Sequence, residues 1–536
     1  MTTAAETLAL PERVLEAARA RVASGYHYSL VFGVVDGDRA GIATLGALPD
    51  GLAPDGDTLY EIGSITKTFT GLLLAQAVLA GRLSLDTPVE ELLPDFKLPT
   101  RGGRKITLGV LADHTSGLPR VPPDQWPKDV ENPYADYDAA KLKAFLAGYD
   151  LPRDPGAREG YSNLGFGLLG YVLARAANRP YPELVEQEIF RPLGMTMSVA
   201  AFARVGGRRL ASGHDISGKI AQNWDMDALA GAGAILSCAN DMLRYLMTNM
   251  GATATPLLEA MKLAQAPKVV ASGADQKMRV GLAWITTDKN IVWHNGGTGG
   301  YRSFLGFTAD GRRGVIILSD SDCSVDDLGF ATLDPDAPLA PSFTRIALPD
   351  AELDDYVGAY SLGEWRLLRI ERGNGALRAR YPGGFAIPIF PCASNAFFAR
   401  ELGFSMRFKR DEKKDVIGLV MGGADEKDGR LSSKLGAEKF PPSPVETQLD
   451  AATLADYVGV YALDSETWTK ISLEHDHLVE QTTAERPRKL SARAKDAFFL
   501  KDHDIRLDFE RDASGKFVAM TRRGAGPDMR ALRRPA

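Results

Sequence analysis

Glu61-Ile62-Gly63-Ser64-Ile65-Thr66-Lys67-Thr68-Phe69 is the stretch on which the reading of this chain turns. Ser64 and Lys67 stand three residues apart, and the residues that follow to Ala80 are almost all apolar (Phe69, Leu72, Leu73, Leu74, Ala77, Val78, Leu79). A run of that length reads as a buried helix. Residues i and i+3 share a helix face, so the hydroxyl and the ammonium are expected to point the same way. They would do so at the helix start, where free N–H groups and the positive end of the macrodipole favour an oxyanion. A capping serine with a solvated lysine is the plainer reading of any Ser-x-x-Lys. Two facts weigh against it here. No other Ser-x-x-Lys occurs in the 536 residues, and this lysine lies in a stretch too apolar for a surface face.

Working outward, Tyr28–Val35 and Ala40–Leu45 read as a hairpin turned at Asp36-Gly37-Asp38. Ile106–Ala112 reads as a short helix running into His114-Thr115-Ser116-Gly117-Leu118-Pro119. Residues 121–150 form a long proline-bearing loop with Trp126, a candidate substrate contact overhanging a cleft. Gly160-Tyr161-Ser162-Asn163 precedes an apolar helix, so Tyr161 and Asn163 can project from one turn. Ala228–Leu236 reads as strand-like, and Asp241–Met250 as a helix. Met278–Thr287, Asn290–His294, Tyr301–Thr308 and Gly314–Ser319 read as four strands, broken at Gly296–Gly300. Strands at both ends with helices between predict an α+β domain: one antiparallel sheet flanked by helices, with a helical insertion.

The last third repeats at an offset of 101. Asp355-Tyr356-Val357-Gly358 recurs as Asp456-Tyr457-Val458-Gly459, and Ala396-Phe397-Phe398 as Ala497-Phe498-Phe499. One register kept over this span predicts two copies of a small antiparallel β-barrel, joined by a linker over Glu426–Pro444. The expected domains are 1–347, 348–440 and 441–536.

Composition narrows the function. The chain is 45% hydrophobic and 25% charged, with a net charge of −6. That gives no electrostatic case for nucleic acid or an anionic membrane. Three scattered cysteines imply neither disulfides nor zinc. No run reaches the length of a membrane span and no signal peptide is evident. The protein is expected to be cytoplasmic, or periplasmic if a leader has been trimmed. No cofactor or metal is called for. Glu474-His475-Asp476-His477 has metal-ligand residue types, but the repeat lays it over Gly373-Asn374-Gly375-Ala376, a hairpin turn. Oligomeric state stays open, a homo-oligomer included.

A serine needs a proton acceptor to act as a nucleophile, and a buried lysine with a depressed pKa can serve. Tyr161 can relay the proton and Asn163 can orient substrate. His294 ends a strand and is followed by Gly296 and Gly297, where a substrate backbone can approach. The backbone N–H groups of Ser64 and Gly297 can form an oxyanion hole.

Ser64-Ile65-Thr66-Lys67, Tyr161-Ser162-Asn163 and His294-Asn295-Gly296 together resemble the three motifs of the penicillin-recognising serine hydrolases. They match the branch of class C β-lactamases, DD-carboxypeptidases, D-aminopeptidases and related esterases. His114–Pro119, Phe190–Met195 and Gly297–Phe304 resemble that branch too, and the likeness covers about residues 20–345. It implies a β-lactamase-like fold and an acyl-enzyme mechanism. Ser64 would attack a carbonyl, Lys67 and Tyr161 would shuttle the proton, and Asn163 would hold the substrate amide. Histidine replaces the lysine of the third motif, a change that in the family goes with peptidases, amidases and esterases. Two C-terminal barrels are similar to D-aminopeptidases, in which a barrel loop limits the cleft. Glu474–His477 and Glu480–Lys489 are the candidates for that loop. Asp225 and Asp227 are candidates for a substrate ammonium. The resemblance therefore implies a peptidase or amidase for short D-residue peptides, its partner being a small peptide, amide or ester. The alternatives are a promiscuous carboxylesterase, a weak β-lactamase, or a penicillin-binding sensor without turnover.

Overall fold

Hydrophobic patterning places β1 (Ser29–Asp36) in the interior of the first unit. Seven of its eight residues are buried, so the strand is covered on both faces, as its unbroken apolar run requires. In the computed structural model β1 pairs with β2 (Arg39–Gly46) on one side and on the other with β8 (Arg313–Ser319), which the chain reaches only near the end of the domain. Between them come β3 (Val269–Val270), β4 (Arg279–Val280), β5 (Ile285–Thr286), β6 (Ile291–Gly297) and β7 (Arg302–Thr308). The antiparallel sheet runs β2-β1-β8-β7-β6-β5-β4-β3. The described residues are 10–122, 125–271, 277–362, 367–373, 376–381, 386–400, 405–422, 431–436, 445–463, 468–482, 487–500, 505–524 and 528–534.

Helices cover both faces. On one, α1 (Glu12–Ala23) and the late helix Asp326–Leu333 place Val14, Ala18, Leu328 and Ala331 against Leu30, Phe32, Ile317 and Phe304. On the other lie α2 (Thr66–Leu79) and α5 (Ala239–Asn249), with α3 (Ala139–Gly148) and α4 (Asn163–Ala176) beyond. α2 is buried almost all round. Its threonines are satisfied inside the core: Thr70 Oγ1 donates to Gly231 O at 2.8 Å, and Thr68 Oγ1 to Ile65 O at 2.8 Å. The expected α+β domain, with its sheet closed by the two ends of the chain and a helical insertion between, is present.

Two details differ from expectation. The 121–150 loop contains α3, capped by Asp138, whose side chain accepts from Lys141 N. The Gly/Ala-rich piece before Leu236 is a 3₁₀ turn, Ala230–Ala232, with a strand of two residues after it. Its small residues serve close packing. A Cβ on Gly231 would stand 2.8 Å from Gly170 Cα in α4.

The second unit holds two closed antiparallel barrels of eight strands each, the first from Gly358 to Leu435 and the second from Gly459 to Arg533. The offset of 101 is kept in strand starts (Gly358 and Gly459, Leu367 and Trp468, Ala396 and Ala497, Val416 and Phe517). It is kept as well in the bulges at Lys409/Arg410 and Glu510/Arg511. Buried tyrosines repeat too: Tyr360 Oη donates to Tyr356 O, and Tyr461 Oη to Tyr457 O. The linker reading over Glu426–Pro444 is corrected in part. Leu431–Leu435 is the strand that closes the first barrel, and the rest of that stretch, Gly436 aside, lies outside the described residues. His475 and Asp476 form the expected hairpin turn between paired Glu474 and His477, with His475 at φ +55°. The barrels differ inside. Leu368, Ala379 and Met421 of the first become Thr469, Glu480 and Arg522 in the second, all three buried. Glu480 is therefore an interior residue, holding Arg488 at 3.0 Å and Arg522 at 3.5 Å, and not part of an exposed gating loop.

Candidate active site

Ser64 sits one turn ahead of the helix proper, in the 3₁₀ turn Gly63–Ile65 that runs into α2. Lys67 lies in the first turn of α2 and is fully buried. The i, i+3 spacing brings the two together, with Lys67 Nζ 2.8 Å from Ser64 Oγ. Nζ also donates to Ala232 O at 2.7 Å. No carboxylate pairs with Lys67 among the described residues. Burial, helped by the charge of Arg120, drives its pKa well below the usual lysine value. A neutral amine that donates one hydrogen to Ala232 O keeps its lone pair for the Ser64 hydroxyl proton.

Tyr161 closes the other side. Its ring lies 5.1 Å from Lys67 Nζ and 4.9 Å from Arg120 Cζ. Burial raises the phenol to about 12, against the lowering effect of Ser64 and Arg120, so at neutral pH it is a proton donor. The turn that presents it is clamped by His114, a residue the sequence reading quoted only as part of a motif. His114 takes φ +63°. Its carbonyl accepts from Gly160 N at 2.8 Å and its Nδ1 from Ser162 N at 3.1 Å. Ser162 in turn caps α4, its Oγ accepting from Gly165 N at 2.8 Å. Asn163 is the first residue of α4. Its Oδ1 is buried with no partner among the described residues, an acceptor left for a substrate N–H.

His294 stands in β6, 1% exposed, with its ring 6.3 Å from that of Tyr161. Nδ1 donates to Asn295 O at 2.6 Å, so Nε2 carries a lone pair, and that atom has no partner among the described residues. Burial and the charge of Lys67 lower its pKa to about 3. It is a neutral acceptor.

Gly297 ends β6 directly against the serine turn. A Cβ on Gly63, at φ +49°, would stand 2.6 Å from Gly297 N and 2.8 Å from Gly297 O. The serine turn and the end of β6 are thus in direct contact. Gly296 abuts Ile62, whose carbonyl would lie 2.0 Å from an added Cβ. A narrow slot beside Ser64 is lined by Tyr134, Asn163, Trp224, Met226, Gly233 and Thr298 among others.

One expected site residue is not there. Asp225 is exposed, its carboxylate accepting from Asn132 Nδ2 at 3.0 Å. In this extended segment its neighbours Trp224 and Met226 turn inward and Asp225 turns out. Trp126 groups with the second unit, where Lys470 Nζ lies 6.0 Å from its ring. The acid near the slot is instead Glu61, which the sequence reading quoted without a role. It is buried, and burial raises its pKa. Its Oε1 accepts from Asn223 Nδ2 at 2.8 Å and Trp224 N at 2.9 Å, tying the slot wall to the serine turn.

An α+β domain in which a buried lysine meets a serine, with a tyrosine ring beside them, is the arrangement of a serine hydrolase of the β-lactamase type. Residues 16–332 match the Beta-lactamase family. The chain belongs to that family, and its members are enzymes. D-alanyl-D-alanine-carboxypeptidase/endopeptidase AmpH of Escherichia coli (strain K12) is 28% identical over 310 residues, covering 53% of this chain and 77% of the relative. Penicillin-binding protein 4* of Bacillus subtilis (strain 168) is 24% identical over 404 residues, covering 69% and 87%. Among solved structures, the beta-lactamase/D-alanine carboxypeptidase from Pseudomonas syringae superposes with a TM-score of 0.53 at 23% identity, over 61% of this chain and 98% of that one. Residues 443–533, the second barrel, match a domain of unknown function, DUF3471.

Proposed function

We propose that the chain is a serine peptidase or amidase that acylates Ser64 and acts on short peptides containing D-residues. The observation that carries this reading is the 2.8 Å contact between Ser64 Oγ and a buried lysine that has no carboxylate partner among the described residues. In the proposed reaction Ser64 Oγ bonds to the carbonyl carbon as its proton passes to Lys67 Nζ. The oxyanion rests on the N–H groups of Ser64 and Gly297. Tyr161 gives its proton to the leaving nitrogen, the C–N bond breaks, and the proton on Lys67 restores the phenol. Water then attacks the ester, one of its protons going to Lys67 and from there to Ser64 Oγ as the acid departs.

The neutral His294 supports amide and ester substrates over penicillins, and the activity for which the Escherichia coli relative is named supports a D-alanyl peptide. A promiscuous carboxylesterase is the second reading, favoured by the same missing cation. The test is a panel: D- and L-alanyl nitroanilides, D-Ala-D-Ala peptides, a nitrophenyl ester and a chromogenic cephalosporin. Turnover of the D-amide and not the L-amide supports the first reading, and ester turnover alone supports the second. Ser64→Ala should abolish turnover with the fold intact. Most activity surviving in that variant would sink both.

A further inference from the structure

We propose that Arg120 is a substrate-binding residue whose guanidinium takes a carboxylate carried by the acyl donor, so that the enzyme selects acidic substrates. This rests on the reading of Ser64 as the acylated nucleophile. Arg120 follows Pro119 at the end of the His114 motif, and its backbone is fixed at the site. Its carbonyl accepts from Asn163 N at 2.9 Å and from Leu164 N at 3.3 Å. The side chain is exposed, with Cζ 4.9 Å from the Tyr161 ring centroid. A guanidinium laid on an aromatic ring uses its face for the cation–π contact. Its N–H donors stay in plane, in the fork that fits a carboxylate. Among the described residues Arg120 makes no ion pair, whereas Arg302 beyond the third motif is paired with Asp322.

The other positive groups of the site are committed or absent. Lys67 is buried on Ser64 and Ala232. His294, in place of the lysine of most β-lactamases, is neutral, its Nδ1–H spent on Asn295 O. A carboxylate entering beside Tyr161 therefore meets in Arg120 a cation that makes no ion pair among the described residues. A bidentate, charge-assisted pair there favours an acidic substrate over its neutral analogue by about tenfold or more.

The carboxylate can lie on either half of the substrate, and two matched pairs of probes separate the halves. The 4-nitrophenyl monoester of adipic acid against 4-nitrophenyl hexanoate reads the acyl half. A D-Ala-D-Ala peptide against its C-terminal amide reads the leaving half. In the wild type, kcat/KM for the acidic member of one pair should exceed that of its partner by about tenfold or more. Arg120→Gln should remove the preference through KM, and Arg120→Lys should restore part of it. Equal preference in wild type and Arg120→Gln overturns the proposal. So does an equal fall on acidic and neutral probes with a displaced pH profile, which would make Arg120 only an electrostatic partner of Tyr161. Failure of a fluorophosphonate to label Ser64 in the wild type would overturn the serine reading and this one with it. Labelling with no acid preference overturns this one alone.

Discussion

Replacing His294 with asparagine should make the catalytic domain less sensitive to acid, and the size of the effect follows from its burial. Folded His294 takes a proton only near pH 3, while an unfolded histidine takes one near 6.5. Between those values the unfolded chain binds the extra proton, so stability rises with pH and is lost as pH falls through this window. Each pH unit is worth about 1.4 kcal/mol, so at pH 4.5 this imidazole costs the fold about 2.7 kcal/mol. His114, also buried and lowered, acts in the same direction. Asp320 and Asp326, raised by burial to about 6, act the other way. Folded, they bind protons that the unfolded carboxylates release, and they gain stability as pH falls from 6 toward 3.8. The wild-type profile is a partial cancellation, so the informative quantity is a difference between variants. Urea unfolding of wild type and His294→Asn at pH 7.5 and 4.5, followed by tryptophan fluorescence (Trp284 and Trp293 lie in this domain), measures it. The variant starts less stable at pH 7.5 for lost packing. The gap should narrow by about 2.7 kcal/mol at pH 4.5. An unchanged gap at the two pH values would refute a buried, neutral His294.

Three other variants probe separate parts of the molecule. Lys67→Met should lower kcat by about 10²–10⁴-fold, the usual weight of a positioned base. The acid limb of the wild-type kcat/KM profile should fall well below the ordinary lysine range, because activity needs the unprotonated amine. Gly63→Ala puts a methyl 2.6 Å from Gly297 N at φ +49° and should abolish labelling of Ser64, which a fluorescent fluorophosphonate reads directly. Glu480→Ala leaves Arg488 and Arg522 without their buried carboxylate and should destabilise the second barrel by about 3 kcal/mol in urea unfolding. A loss below about 1 kcal/mol would mean the cluster is hydrated.

Much of this could be read from the chain because the informative patterns were local. The i, i+3 spacing of Ser64 and Lys67 carries its own geometry, and an unbroken apolar run announces a strand buried on both faces. The 101-residue repeat predicted barrels because one register recurred across many positions. What escaped depended on contacts between distant segments. Ala230–Ala232 has a strand's composition, yet its glycine and alanines are there because α4 packs against them, and Ala232 O is a partner of Lys67. Asp225 had a plausible charge at a plausible place, but in an extended segment one residue of register decides whether a side chain faces slot or solvent. Glu61 lay inside the quoted motif. Nothing local tells a buried acid from a surface one, and its role appears only once Asn223 and Trp224 fold back on it.

The glycines at and just after the third motif are held by contacts other than the one their sequence suggests. Gly296 and Gly297 read as openings through which a substrate backbone reaches the strand. The structure fills both positions with protein. The Ile62 carbonyl lies over Gly296, and the Arg302 guanidinium lies where a Gly297 side chain would start. The small residues of the first and third motifs are therefore two sides of one contact, Gly63 against Gly297, made by segments more than two hundred residues apart in sequence. This contact brings the serine turn against the end of β6. The proposed oxyanion hole would be a product of the closed sheet rather than of either motif alone, because β6 is held to β1 through β7 and β8. Chemistry at Ser64 should accordingly be lost together with that pairing, before α2 itself unfolds.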